Sequence, residues 1–333
     1  MTDQAPTLYN PPLSRLTIGP CRTTTELFAI NCTIVSLDDP VTVDELVRES
    51  LASNTRKAYA SDLQHYLAWG GSLPSSDRIV ASYLAQHADE LTPATLTRRL
   101  ASISKAHRAH GWSSPTSSEL VKATLRGIRR RRGATQRQAT PLLRDDLFEV
   151  LTAMGDGMKD VRDKALLLLG FATALRRSEL VALNCADLER VRQGLIAHVR
   201  RSKTDQDGEG RKIGVPFGRS RWCPVAAVED WLRRSGIEEG SVFRPVNRNG
   251  RVLPEQLSGE AVSQVVIDRA ARAGLQGDFT AHALRAGLAT SAAQAGVSSW
   301  RIRQTTGHAS DAMLSRYIRS AELFVDNASV SIL

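Results

Sequence analysis

Two histidines, two arginines and a tyrosine stand in this chain at spacings that can focus them on one phosphate. Near the C-terminus lie His282-Ala283-Leu284-Arg285, then Thr306-Gly307-His308, then Tyr317. Far upstream, Arg176 sits in Ala174-Leu175-Arg176-Arg177-Ser178-Glu179-Leu180. A guanidinium stays charged and donates two parallel hydrogen bonds to phosphate oxygens. A free tyrosine has a pKa near ~10, so it attacks at neutral pH only where a base or strong positive potential removes its proton. Histidine, titrating near neutrality, is a suitable base. The chemistry open to the set is nucleophilic attack on a phosphodiester.

Taken singly, each piece also has an ordinary explanation. His282 and Arg285 are three apart and share a helix face, as would a satisfied histidine beside a surface arginine. Arg176 and Glu179 have the same spacing and fit a surface ion pair. If Arg176 instead turns inward, Glu179 is placed to orient it. Tyr317, in Met313-Leu314-Ser315-Arg316-Tyr317-Ile318, also fits the core face of an amphipathic helix.

Composition supports a polyanionic partner. The 333 residues carry 44 Lys and Arg against 35 Asp and Glu, a net charge of +9. Nucleic acid is the leading candidate for such a balance. Cys21, Cys32, Cys185 and Cys223 form no C-x-x-C pair and no zinc-type spacing. Reduced thiols in a cytoplasmic protein are expected. The most apolar run, 165–175, is too short to span a bilayer, which takes roughly 20 residues. No G-x-x-x-x-G-K-[ST] loop and no cluster of metal-binding carboxylates is evident, so neither cofactor nor metal is expected.

The elements that must position these residues fall into two domains. Residues 1–40 lack periodicity and read as a loosely ordered arm. From 41 to 130 the apolar spacing is helical: Val43, Leu46, Val47 and Leu51 form one stripe. Ser53 is expected to cap a helix carrying Tyr59, Leu63, Tyr66 and Leu67. Ile79, Val80, Tyr83 and Leu84 mark another helix. Thr92-Pro93 reads as an N-cap with proline at the first helical position. Val121, Leu125 and Ile128 close the domain. The run Arg126-Gly127-Ile128-Arg129-Arg130-Arg131-Arg132-Gly133 leads into a basic linker, 131–140, expected to be flexible and to touch DNA phosphates. The second domain spans 141–333. It opens with helices near Leu147 and over 160–174, followed by a short one over 178–183. Leu195, Ala197 and Val199, then Ile213, Val215 and Phe217, alternate as strands. Between them 202–210 forms a polar hairpin loop, and helices resume near 258. The fold class is mainly α with a small antiparallel β-sheet.

Arg176, Lys203, His282-x-x-Arg285, Gly307-His308 and Tyr317 together resemble the signature of the tyrosine recombinase (phage integrase) family. The nine-residue step from His308 to Tyr317 is part of that likeness. The tail Tyr317-Ile318-Arg319-Ser320-Ala321-Glu322-Leu323-Phe324 is similar to Cre-type, plasmid and transposon members. The resemblance covers about 43–333 and implies a helical core-binding domain followed by an α+β catalytic domain. It implies site-specific cleavage and rejoining of duplex DNA through a 3′-phosphotyrosine, without metal or ATP. By the same resemblance Arg176 and Arg285 clamp the phosphate, His308 donates to it, His282 handles the proton of Tyr317, and Lys203 protonates the leaving oxygen. Ser202-Lys203-Thr204 directly after a strand favours Lys203, with Lys212 as the alternative. Further implications are a synaptic tetramer on two DNA sites, docking of Leu323, Phe324 and Val325 onto a neighbouring protomer, and room for an accessory protein. A type IB topoisomerase or telomere resolvase shares the chemistry. A non-catalytic DNA-binding protein on the same fold would have no need of Tyr317.

Overall fold

The computed structural model describes residues 50–133, 140–200 and 210–308, together with Thr42, Glu45, Leu46, Ser310, Leu314, Ser315 and Tyr317. The expectations for the N-terminal arm, most of the linker, Lys203 and the tail after Tyr317 lie outside the described residues. The chain divides into two compact units, Met1–Gln136 and Arg137–Leu333.

The first unit is helical: α1 (Ser53–Ala68), α2 (Asp77–Gln86), α3 (Pro93–Ala109) and α4 (Glu119–Arg132). Apolar stripes from all four meet in one core of Leu63, Tyr66, Val80, Tyr83, Leu84, Leu96, Ile103, Val121 and Leu125. Side-chain caps set the helix starts. Thr92 Oγ1 accepts from the Thr95 amide at 3.2 Å, with Pro93 opening α3 as expected. Ser76 and Ser118 cap α2 and α4 in the same way. Ser53 does not cap α1. It is the first helical residue, Ala52 holds the cap position, and no side-chain cap bond forms.

The helix extends two residues past the expected boundary at 130, so Arg131 and Arg132 belong to it and not to the linker. Leu125 and Ile128 stay buried on α4, so the helix continues through Arg132 before Gly133 ends it at φ 75°. Four arginines then occupy the last turn, where the helix dipole favours cations. Arg132 folds back and donates to the carbonyls of Ala88 and Leu91 at 2.8 and 2.9 Å.

The second unit contains α5 (Arg144–Thr152), α6 (Met158–Thr173), α7 (Arg177–Val181), β1 (Leu188–Val191), β2 (Gly194–Val199), β3 (Arg211–Pro216), α8 (Pro224–Ser235), α9 (Gly259–Arg272), α10 (Ala281–Gln294) and α11 (Ser299–Thr306). The strands form an antiparallel sheet in the order β1-β2-β3. Leu195 pairs with Val215 and Ala197 with Ile213, so the two apolar alternations share one buried face. The mainly α class with a small antiparallel sheet is thus observed. Strand β1 was not foreseen, because Leu188-Glu189-Arg190-Val191 carries charges at its centre and does not alternate.

Helix α6 is the axis of this unit. Val161 and the run Ala165–Gly170 are buried, so the helix is covered on most sides. It packs against α8, α10 and β3. Asp163 fixes it further, accepting from Arg162 and from Arg269 of α9. Helix α10 lies equally deep. A Cβ at Gly287 would collide with the Leu142 carbonyl oxygen, so only glycine allows this approach. The Leu142 amide donates to the Ala283 carbonyl at 3.0 Å, which holds α10 in register with that segment.

Candidate active site

Helix α6 ends at Ala174, a non-glycine residue in the left-handed conformation (φ 50°, ψ 29°). Such a conformation persists where the surroundings enforce it. Its carbonyl accepts a hydrogen bond from Arg285 Nη1 at 2.8 Å. Two residues later Arg176 occupies the cap position of α7. Glu179, in the first turn of that helix, accepts the Arg176 amide at 3.0 Å through Oε2 and Arg176 Nη1 at 2.6 Å through Oε1. Arg176 is 21% exposed and Glu179 3%. The Arg176–Glu179 pair is present, and its carboxylate is buried.

Arg285 and His282 project from the first two turns of α10, which Thr280 caps. Arg285 is 2% exposed. Its Nη1 donates to the carbonyls of Ala174 and Thr306, while Nη2 is buried with no partner. A buried guanidinium with an unsatisfied N–H is costly, and an oxyanion supplies what it lacks. Burial and the nearby Arg176 push the Arg285 pKa down to about 10, so it remains charged at pH 7.

Helix α11 delivers His308. Gly307, at φ 66°, ends the helix and turns the chain back. The Thr306 hydroxyl lies 2.8 Å from His308 Nδ1, leaving Nε2 for another partner. Burial and the charges of Arg285 and Arg176 bring the His308 pKa down to about 4. The imidazole is therefore neutral at pH 7.

Tyr317 sits in a helical segment and packs on Ala289, Ile302 and Leu314. Its hydroxyl is 2.7 Å from His282 Nε2, and its ring lies 5.7 Å, centre to centre, from that of His308. Burial and the charges of Arg285 and Arg176 also lower the His282 pKa. In its Nδ1–H tautomer, neutral His282 offers a lone pair to the Tyr317 hydroxyl.

The structure thus brings Arg176, His282, Arg285, His308 and Tyr317 together. Lys203 lies outside the described residues. Lys212 stands opposite His198 in the β2–β3 ladder and is exposed. One participant was not foreseen. Arg211, at the start of β3, donates through Nη1 to the Thr305 carbonyl at 3.0 Å and holds Nη2 3.6 Å from Glu179 Oε2. Strand parity carries the signal for it. Arg211, Ile213 and Val215 point the same way, so a cation stands in line with the buried apolar face.

Among the described residues no group of three or more His, Cys, Asp or Glu side chains could hold a metal ion. No described helix is long and apolar enough to cross a membrane. The arrangement is a pocket of three guanidiniums and two neutral imidazoles around a tyrosine hydroxyl, with Glu179 as the buried acid. That is equipment for displacement at a phosphate.

Comparison with known proteins agrees with this chemistry. The model of the phage integrase family matches residues 141–323. An integrase/recombinase XerD homolog from Selenomonas ruminantium is 38% identical over 294 residues, covering 85% of this chain and 86% of that protein. The Cre recombinase of Escherichia phage P1 is 26% identical over 302 residues, covering 83% and 86%. A crystal structure of a lambda integrase tetramer bound to a Holliday junction shares the fold with a TM-score of 0.57. It is 18% identical and covers 92% of this chain and 87% of that one. The chain belongs to the phage integrase family of tyrosine recombinases.

Proposed function

We propose that this chain is a site-specific DNA recombinase that cuts and rejoins duplex strands through a phosphotyrosine at Tyr317. The observation that carries the reading is the 2.7 Å approach of His282 Nε2 to the Tyr317 hydroxyl, beside the unpartnered Nη2 of buried Arg285.

The Tyr317 oxygen attacks phosphorus and its proton passes to His282 Nε2. The bond from phosphorus to the 5′ oxygen breaks, and Lys203 supplies the proton to that oxygen. The products are a 3′-phosphotyrosine and a free 5′-hydroxyl. Attack by a 5′-hydroxyl from a partner duplex reverses the step and releases Tyr317. One phosphate ester replaces another of similar energy at each stage, so strand exchange needs no nucleotide energy source. Arg176 and Arg285 neutralise charge growing on the non-bridging oxygens, and His308 completes the polar set around them. Lys203 fits the proton donor better than Lys212, because Lys212 lies on the exposed face of β3, opposite in parity to Arg211.

The helical first unit serves as the core-binding domain. Residues 131–140 link it to the catalytic domain and lie along DNA phosphates, consistent with the cationic end of α4. Duplex DNA is the substrate, two sites are joined in a synaptic tetramer, and the protein works in the cytoplasm beside the nucleoid. The tetrameric state of the lambda integrase structure supports this assembly.

The test is covalent trapping. A nicked duplex bearing the site selected by this protein from a randomised library should yield an adduct that survives denaturing electrophoresis. Tyr317→Phe should abolish the adduct and keep the DNA affinity. An adduct formed by the Phe variant would overturn the assignment of Tyr317.

A further inference from the structure

We infer that Arg211 is a positioning residue of the active site, a brace that locks the His308 turn to the Glu179–Arg176 pair. The inference rests on the catalytic reading above. It concerns a residue with no role in that chemistry as argued so far.

Arg211 ties together three segments far apart in sequence. It belongs to β3, whose Ile213 and Val215 lie in the core of the second unit. Nη1 donates to the carbonyl of Thr305, in the last turn of α11. The next residue, Thr306, accepts from Arg285 through its carbonyl and meets His308 Nδ1 through its hydroxyl. Nη2 stands 3.6 Å from Glu179 Oε2, the oxygen that also accepts the Arg176 amide. One rigid fork therefore reaches the support of His308 and the support of Arg176 together.

The local backbone is built around this guanidinium. A Cβ at Gly307 would collide with Arg211 Nη1. Gly307 is favoured by its positive φ, and the arginine passes through the space a Cβ would fill. Arg211 is 21% exposed, and its Nε and Nη2 lack hydrogen-bond partners. A lysine would bring one compact ammonium and could not hold both contacts. The charge matters beyond its bonds. It lies among the cations that keep His308 and Arg285 below their ordinary pKa values, after burial and Arg176.

A residue that acts by placement affects the rate much more than the affinity. An error of about 1 Å in the reacting geometry can cost about 100-fold in rate. The experiment measures single-turnover adduct formation, DNA affinity and thermal melting for the full chain, using the nicked duplex described above. Arg211→Gln should form the adduct about 100-fold more slowly, with affinity and melting close to wild type. Arg211→Lys should fall between the two. Combining Arg211→Gln with His308→Ala should cost much less than the product of the single losses, because the brace acts through the His308 turn.

A wild-type rate in Arg211→Gln would overturn the inference. So would equal losses of rate and affinity, which would mean that Arg211 holds DNA directly. Multiplicative losses with His308→Ala would sever the link to that turn. Unfolding of both Arg211 variants would make the residue a fold determinant and would equally overturn the inference. If wild type itself forms no adduct, the catalytic reading fails first, and the two failures are thereby distinguished.

Discussion

His282 Nε2 meets the Tyr317 hydroxyl at 2.7 Å, although the two residues are 35 positions apart and sit on different helical segments. In the proposed reaction this pairing joins a base to its nucleophile. It also puts the nucleophile under the influence of Arg285, one turn along α10 from His282.

His282 must be neutral to take the tyrosine proton. Its pKa lies below the ordinary 6.5, because burial and the charges of Arg285 and Arg176 disfavour the imidazolium. The acid limb of the single-turnover cleavage profile should therefore fall below pH 6.5. His282→Gln should remove that limb and slow cleavage by about 100-fold or more. A wild-type limb centred above 6.5 would count against His282 as the base.

Arg285 makes two carbonyl contacts through Nη1 and keeps Nη2 in reserve. Lysine lacks the fork geometry, so Arg285→Lys should slow adduct formation by about 100- to 1,000-fold, the usual cost of one lost transition-state donor. DNA affinity should change little. An equal fall in both quantities would show that Arg285 binds the substrate without favouring its transition state.

His308 links site electrostatics to stability. Its pKa is about 4 in the folded protein, against about 6.5 in an unfolded chain. Between those values the unfolded state binds more protons, so this contribution is full above about pH 6.5 and is lost as pH falls toward about 4. The melting temperature of wild type should drop over that window more steeply than that of His308→Gln. Parallel slopes would rule out His308 as a source of the pH dependence.

Gly287 lets α10 rest on the backbone of Leu142, where a Cβ would collide with the carbonyl oxygen. Gly287→Ala should cost about 1–3 kcal/mol in urea denaturation. It should also slow cleavage, since the same helix carries His282 and Arg285. Unchanged stability would mean that the two segments separate freely.

Much of the site was legible because its signals are local. The three-residue step from His282 to Arg285 fixes a shared helix face, and the same step pairs Arg176 with Glu179. Thr92-Pro93 marks the start of α3 because capping is local too. Other parts depend on tertiary context. Ser53 has the chemistry of a cap, yet the chain enters the helix one residue earlier. Arg131 and Arg132 suggest the start of a linker, yet burial of Ile128 one turn earlier carries α4 through them. Arg211 could have been recognised from the parity of β3, but its partners Thr305 and Glu179 belong to segments that only folding brings together.

Arg176, Arg211 and Arg285 crowd around Glu179, and the pKa values of Arg211 and Arg285 are lowered by burial, with Arg176 adding to the effect. Three like charges gathered on one buried carboxylate leave this cluster electrostatically frustrated. An oxyanion of phosphate size relaxes that frustration whether or not a bond is cut, so the substrate also acts as a missing structural element. Folding leaves a debt of negative charge at the centre of this domain, and DNA settles it.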